Sequence, residues 1–395
     1  LLIHFKSKDL TRLHKQGQFW HIFFLGGGKF VGAIIAQDET DTWTTHLQLP
    51  LEVDPDTISS EDAVYQVLGG CGSKYEIKID EILVRSTFRP SIAVARQYAS
   101  PNKRIYLVGD AAHQNIPTGG YGMNMGLGDA FDLGWKLAMV MNGQGGLGLL
   151  KSYESERRPV AIKTIERSGV HAGVHLKGAS ILSMSPEELD SPAGKAAQEQ
   201  TRKLYQDNDG ENRDLGIEMD YRYTSSSICI PSPGLDEPAW IPSAYTPSTF
   251  PGSRAPHVFL KDGTPIFDKY GKHFTLVAFS DEDADCAKLL LEAGAQHNVP
   301  IERVALSGED HAYKVWGGIP FVLVRPDGHV AWRGSGVSDA AAATAIIQTV
   351  AGFAESPSAT AHKEVAVPET AFTSTAEMTT QDTHYELRRM GEFQV

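Results

Sequence analysis

The sequence predicts a mixed α/β chain with more than one domain, and three observations carry that reading. Residues 1–100 show apolar runs and alternation at strand spacing. Residues 101–178 change to one apolar run, a Gly-rich loop and long helical patterns. Residues 257–354 alternate short β-prone runs with helical ones. At 395 residues, and roughly 100–200 residues per domain, two or three domains are expected.

Taken in order, Phe19–Leu25 and Val31–Gln37 are β-prone runs separated by Gly26-Gly27-Gly28, a hairpin signal. Trp43–Leu49 alternates and stops at Pro50. Ser60–Leu68 predicts a short helix, with Ser59 or Ser60 as cap and Gly69-Gly70 as stop. Tyr75–Thr87 alternates through Ile77, Ile79, Ile82 and Val84 and predicts a long strand. Arg104–Val108 predicts a buried strand that ends in Gly109-Asp110. A helix is expected over about Met123–Met141, and a second over about Leu147–His171, where Pro159 marks a kink or a restart. Residues 185–208 predict a polar helix, and the Pro, Ser and Gly of 228–256 predict a linker. In the last block, strands are expected at Thr275–Phe279, Ile301–Leu306, Phe321–Arg325 and Val330–Arg333, and helices at Asp283–His297 and Ala340–Phe353. The tail 355–395 lacks apolar periodicity and predicts disorder.

Composition excludes several classes. With 49 acidic against 36 basic residues, the net charge of −13 argues against nucleic acid or an anionic membrane as partner. No run of about 18 apolar residues suggests a transmembrane helix. The 3 cysteines form no CxxC and no Cys/His ligand spacing, which excludes a disulfide scaffold and argues against a metal site. A cytoplasmic, reducing compartment is the default expectation. The chain opens Leu1-Leu2-Ile3-His4-Phe5 without Met, which reads as the middle of a domain and not as a signal peptide.

The chemically informative stretch runs from Gly109-Asp110 through His113, Pro117, Gly119-Gly120, Gly122-Met123-Asn124 to Gly126. A strand end would deliver the Asp110 carboxylate, an acceptor suited to polyol hydroxyls. Gly119, Gly120 and Gly122 permit close backbone approach to a flat ligand. The helix that follows offers free N–H groups and its positive dipole end. Read alone, such a loop serves packing at least as readily as ligand binding.

The whole string resembles the second flavin motif of the FAD-dependent aromatic hydroxylases, flavoprotein monooxygenases with the para-hydroxybenzoate hydroxylase fold. The match continues through Asp129-Ala130-Phe131-Asp132-Leu133-Gly134-Trp135-Lys136-Leu137 and Tyr153-Glu154-Ser155-Glu156-Arg157-Arg158-Pro159. By that resemblance Asp110 binds the FAD ribitol and Pro117 lies beside the isoalloxazine. Gly120, Gly122, Met123 and Asn124 belong to the same cofactor-binding set, the last three facing the flavin N1/O2 edge through backbone N–H groups. His113 is left open between a family role and loop packing, and no catalytic residue is identified. Residues 8–89 resemble the substrate domain of the phenol-hydroxylase branch. Pro251–His257 resembles the join to that branch's thioredoxin-like C-terminal domain, in which Gly317-Gly318-Ile319-Pro320 resembles the proline turn, with a cis bond possible there. Cys286 stands alone on its helix and is expected to be inert.

The domain organisation implied is a partial substrate-domain sheet over 1–100 and an FAD-binding segment over 101–180. A helix and linker over 181–256 and the thioredoxin-like domain over 257–354 follow. The function implied is hydroxylation of a phenolic ring with NAD(P)H and O2 through a flavin C4a-hydroperoxide, in a homodimer. One departure stands out. No GxGxxG follows a strand, since Gly26-Gly27-Gly28 lies in a hairpin. The family's ADP-binding half and its Asp-Gly fingerprint lie upstream of residue 1. A truncated, flavin-free binding or scaffold protein, or one with cofactor-independent chemistry, is therefore the alternative. For the substrate pocket, the loop Gln37-Asp38-Glu39 does not support a carboxylate-bearing substrate. Trp20, Trp43 and Tyr121 could line an aromatic pocket, with ordinary sheet core the favoured reading, and His21 and His46 are expected to be core or surface residues.

Overall fold

A computed structural model describes residues 1–10, 17–38, 40–50, 52–88, 91–280, 284–354 and 385–388. In chain order the elements are β1 Leu2–Lys6, β2 His21–Gly26, β3 Lys29–Ala36, β4 Thr42–Leu47, α1 Ser60–Gly69, β5 Glu81–Ser86, β6 Ile92–Ala95 and β7 His113–Gln114. Next come α2 Tyr121–Met141, α3 Gly148–Ile181, α4 Pro186–Leu189, α5 Pro192–Asp207, α6 Gly210–Arg213 and α7 Leu215–Met219. The C-terminal set is β8 Phe274–Ala278, α8 Ala284–Gln296, β9 Ile301–Ala305, α9 Asp310–Val315, β10 Phe321–Val324, β11 Val330–Gly334, α10 Ala340–Val350 and β12 Tyr385–Arg388. The chain divides into two compact units, the described parts of Leu1–Pro90 with Gly169–Glu211, and of Ser91–Ser168 with Asn212–Glu392.

The first unit is built on an antiparallel sheet of order β2-β3-β4-β1-β5. Gly26, Gly27 and Gly28 all have positive φ and close the β2–β3 hairpin. One sheet face carries Ile3, Phe5, Ile34 and Trp43 into a core with Ala63, Val64 and Val67 of α1. Ser59 caps α1 by accepting from the Asp62 N–H. The predicted strand Tyr75–Thr87 shrinks to β5, because only residues 81–86 find ladder partners on β1.

In the second unit the C-terminal sheet has order β11-β10-β8-β9, with β8 and β9 parallel and the other pairs antiparallel. α8 and α10 cover one face through Leu290 and Ile347. Leu260, Trp316 and their neighbours cover the other. Cys286 is a buried free cysteine in that core.

Several boundaries differ from the sequence expectation. Arg104–Val108 makes no strand. Its backbone-to-backbone pairing is the Ala99–Tyr106 bridge with two bonds, Ser100 N–H to Ile105 O and Leu107 N–H to Tyr98 O, and Ile105 is 67% exposed. α3 runs ten residues beyond His171 with Pro159 inside it. The polar helix of 185–208 is two helices. Ser185 forms a capping box ahead of α4, and Ser191-Pro192 starts α5 anew. Ile319–Pro320 is not cis, and no cis bond occurs among the described residues. Of the tail, only β12 is described, paired antiparallel with β6. The rest of 355–395 and Glu39 lie outside the described residues. No helix of the described residues is long and apolar enough to cross a membrane.

Candidate functional site

The Gly109–Asn124 stretch lies wholly in the second unit. Gly109–Ala111 is one 3-10 turn, entered by Gly109 at φ 60. A Cβ at Gly126 would lie 3.3 Å from the Gly109 Cα. Two glycines thus bring the Asp110 turn directly against the early turns of α2. Asp110 is exposed, and none of the described residues donates a hydrogen bond to its carboxylate. α2 begins after Gly120, at φ 66, with no side-chain cap on its N-terminus. No side-chain cap thus competes with an electron-rich group for the N–H groups of Gly122 and Met123. Pro117, Gly120, Met123 and Asn124 are exposed, and Gly122 is half-buried. Gly119 is obligatory, because at φ 87 a Cβ there would meet the Tyr121 ring at 2.3 Å.

The rigidity of this stretch comes from behind it. Asp129, on α2 and fully buried, accepts from the Gly109 N–H at 3.2 Å and pairs with His113 Nε2 at 2.7 Å through the same oxygen. Its other oxygen accepts from Arg157 Nε at 2.7 Å. Burial alone would raise the Asp129 pKa, but the His113 hydrogen bond and the Arg157 charge outweigh it and hold the carboxyl below its usual value. His113 is thus a buried tie of the turn. The loop is pinned a second time at Ser168 of α3. Asn115 donates to its hydroxyl at 3.1 Å, Thr118 donates to its carbonyl at 2.8 Å, and Ser168 Oγ donates to the Thr118 carbonyl at 2.7 Å.

The second half of the motif supplies the frame. Along α3, Tyr153 donates to the Leu107 carbonyl, Glu154 accepts from the Tyr98 N–H, and Arg158 donates to the Ala95 carbonyl. Gly128 is small because a Cβ there would lie 2.8 Å from an Arg157 nitrogen. One turn further along α2 sits a buried charge cluster. Lys136 bonds Asp132 at 2.7 Å and Glu156 at 2.6 Å. Arg325, at the end of β10, takes Glu156 through two nitrogens at 2.7 and 2.8 Å and reaches Asp132 at 3.1 Å. Asp327 receives Arg325 and the Trp135 indole N–H. Asp132, Glu156 and Asp327 have the spacing of a metal site, but Lys136 and Arg325 occupy the space and charge that a cation would take. Burial would raise Glu156, yet Arg325 and Lys136 together hold it down to about 2. Burial pushes Asp132 well above the usual range, so Asp132 is the first of these groups to take a proton on acidification. Tyr223 links the two layers, its hydroxyl accepting from Arg157 at 3.2 Å and its ring lying 4.9 Å from the Arg325 guanidinium.

The structure thus brings Asp110 and the α2 N-terminus together, as the sequence predicts. Sequence reasoning missed Asp129, Arg157 and Arg325 as the groups that hold them. The signal was present, since charges at 129, 132 and 136 interrupt an otherwise apolar helix. Trp43 is no pocket residue. It is fully buried in the sheet core of the first unit and donates to the Ser7 carbonyl. Tyr121 is buried at the start of α2, and Trp20 is 75% exposed. Asp38 serves its own loop, accepting from the N–H groups of Thr40, Asp41 and Thr42, and these bonds lower its pKa. His21 is exposed and His46 half-buried.

Comparison with known proteins places the chain among flavoprotein relatives. A family model described as FAD binding domain matches residues 1–168, and one described as aromatic-ring hydroxylase, C-terminal, matches 248–354. The FAD-dependent monooxygenase apdD of Emericella nidulans is 47% identical over 365 residues, covering 89% of this chain and 58% of that protein. The FAD-dependent monooxygenase opdD of Penicillium oxalicum is 45% identical over 363 residues, covering 89% and 68%. The rebeccamycin biosynthetic enzyme RebC with reduced flavin superposes with a TM-score of 0.74 at 32% identity, covering 89% of this chain and 62% of RebC. The chain therefore spans about 58–68% of the length of these relatives.

Proposed function

The chain belongs to the FAD-dependent monooxygenases of the aromatic-ring hydroxylase type, and on that premise we propose that Asp110–Asn124 holds the flavin end of FAD in an enzyme that hydroxylates a phenolic ring. One observation carries the reading. An exposed carboxylate without a protein donor stands beside an uncapped helix N-terminus, and both are fixed by one buried aspartate, Asp129. The residues fit the group. Asp110 accepts from ribitol hydroxyls. The backbone N–H groups of Gly122, Met123 and Asn124 would face the flavin edge that gains negative charge on reduction, and the α2 dipole would favour that charge. Pro117 and Gly120, both exposed, would border the ring.

When bound, FAD supplies the redox and oxygen-transfer chemistry, with NAD(P)H as reductant and O2 as co-substrate. This chain's part is to hold the flavin edge rigid and to bind the aromatic substrate. The parallel β8–β9 pair, with helices on the C-terminal sheet, supports reading 257–354 as thioredoxin-like, with a packing role. The test is oxidation of NADH or NADPH by the purified protein with FAD and a panel of phenols, followed by mass spectrometry in 18O2. One 18O atom in the product supports the reading. NAD(P)H oxidation that no phenol accelerates, with no labelled product, overturns it.

A further inference from the structure

The Asp110 turn is held by Asp129, and Asp129 is held by Arg157. Arg157 is in turn held from the C-terminal sheet, and every residue of that connection lies in the second unit. Arg157 is buried, and its three nitrogens are directed apart. Nε donates to Asp129 at 2.7 Å, Nη2 to the Met125 carbonyl at 3.2 Å, and Nη1 to the Tyr223 hydroxyl at 3.2 Å. On the α2 side there is no slack, since even a Cβ at Gly128 would stand 2.8 Å from Nη2.

Tyr223 is anchored on the far side. Its N–H donates to the Gly252 carbonyl at 2.9 Å, and the Gly252 N–H donates to the Val330 carbonyl of β11 at 2.8 Å. Gly252 has φ 90, and a Cβ there would lie 2.6 Å from the Tyr223 carbonyl oxygen, so glycine permits this approach. The Tyr223 ring stacks on His329 at 4.2 Å and 30° and lies 4.9 Å from the Arg325 guanidinium. Arg325 and His329 bound the turn between β10 and β11. The path from Val330 through Gly252, Tyr223, Arg157 and Asp129 to Gly109 is therefore continuous.

We propose that Tyr223 is a positioning residue through which the β10–β11 hairpin holds the Asp110 turn in its flavin-binding form. The flavin part rests on the functional reading above, and the mechanical part does not. The element with two states is the turn, closed on Asp129 or opened by loss of the Gly109 and His113 bonds. Without the Tyr223 hydroxyl, Nη1 of the buried Arg157 loses its acceptor, and an unpartnered buried donor costs more than the bond contributed. The guanidinium then shifts, and Asp129 holds the turn less well. Residues 257–354 thereby act on the flavin site and do more than pack against it.

The experiment is amide exchange over residues 109–116 in the full chain without flavin, with an FAD titration in parallel. Tyr223→Phe removes the hydroxyl and keeps the ring stack. It should quicken exchange there by at least about threefold and weaken FAD binding by a similar factor. Ile347→Val, in the C-terminal core away from this path, controls for general loss of stability. It should change exchange over 109–116 by less than about 1.5-fold. In an Asp129→Asn background the path is already cut, so adding Tyr223→Phe should also change exchange by less than about 1.5-fold. Exchange unaltered by Tyr223→Phe, raised equally by Ile347→Val, or raised as much in the Asp129→Asn background overturns the proposal. Equal FAD affinity of wild type and Tyr223→Phe overturns it too, and leaves the functional reading standing. No FAD binding by wild type defeats that reading, and the exchange data then decide this inference alone.

Discussion

Replacing Arg325 by Met should destabilise the second unit more than almost any other single change in the chain. Three carboxylates, Asp132, Glu156 and Asp327, face two cations, Lys136 and Arg325, all nearly inaccessible to water. With all three carboxylates ionised, at pH above the raised pKa of Asp132, the wild-type excess is one negative charge, three minus two. Arg325→Met raises it to two and removes every bond Glu156 makes to the C-terminal hairpin. Breaking one partner out of a buried pair costs about 3–5 kcal/mol, a large share of a stability of order 5–15 kcal/mol. At an m of about 2 kcal/mol/M, the urea midpoint should fall by about 2 M. Arg325→Met with Glu156→Gln returns the excess to one, two minus one, and should recover at least half of the loss. The assay is urea unfolding of the full chain by tryptophan emission, with near-UV circular dichroism to separate the transitions of the two units. A midpoint shift below about 0.3 M, or a double variant no better than the single one, would refute the reasoning.

Three further outcomes follow from the same geometry. Asp129→Asn loses the charge that pairs with Arg157 and the acceptor shared by Gly109 and His113, so amide exchange over residues 109–116 should quicken by at least about tenfold. Unchanged exchange there would show that the turn holds itself. Gly148→Ala would place a Cβ 2.5 Å from the Gly352 carbonyl oxygen and should cost about 1–3 kcal/mol by overpacking, read as a lowered melting temperature; an unaltered melt would contradict the close approach. For acid unfolding the sign is set by Glu156, held down to about 2 from an ordinary 4.5. Its ion pairs contribute fully above 4.5 and are lost as pH falls toward 2. Arg325→Met weakens that hold, so the variant should start to unfold at a higher pH than wild type, measured by circular dichroism.

Much of this was legible in the sequence because local signals and tertiary partners agreed. The Gly26–Gly28 hairpin, the Ser59 cap and the β8–α8–β9 pattern are fixed by residues within a few positions of one another. The α2 helix and the Asp110 turn could be read for the same reason. What stayed hidden depends on partners far along the chain. Arg325 lies 169 residues from Glu156, and nothing local marks it as their tie. Arg104–Val108 reads as a strand by composition, yet a strand exists only where a neighbour completes the ladder. Trp43 is left between pocket lining and sheet core by its sequence, with core favoured, and the register of β4 places it in the core beside Phe5. That His21 and His46 stand on the same sheet face, away from α1, is visible only through cross-strand register.

The most direct test of the central claim is an FAD titration of the 395-residue chain and of its Asp110→Ala variant, followed by flavin absorbance and fluorescence. Asp110 is exposed and caps nothing in the protein, so its loss should leave folding intact. The account predicts a flavin spectrum perturbed by the wild-type chain and an affinity at least about tenfold weaker in the variant, as for a lost hydrogen bond to a charged group. Indistinguishable titrations of the two proteins would contradict the claim that this turn holds the flavin.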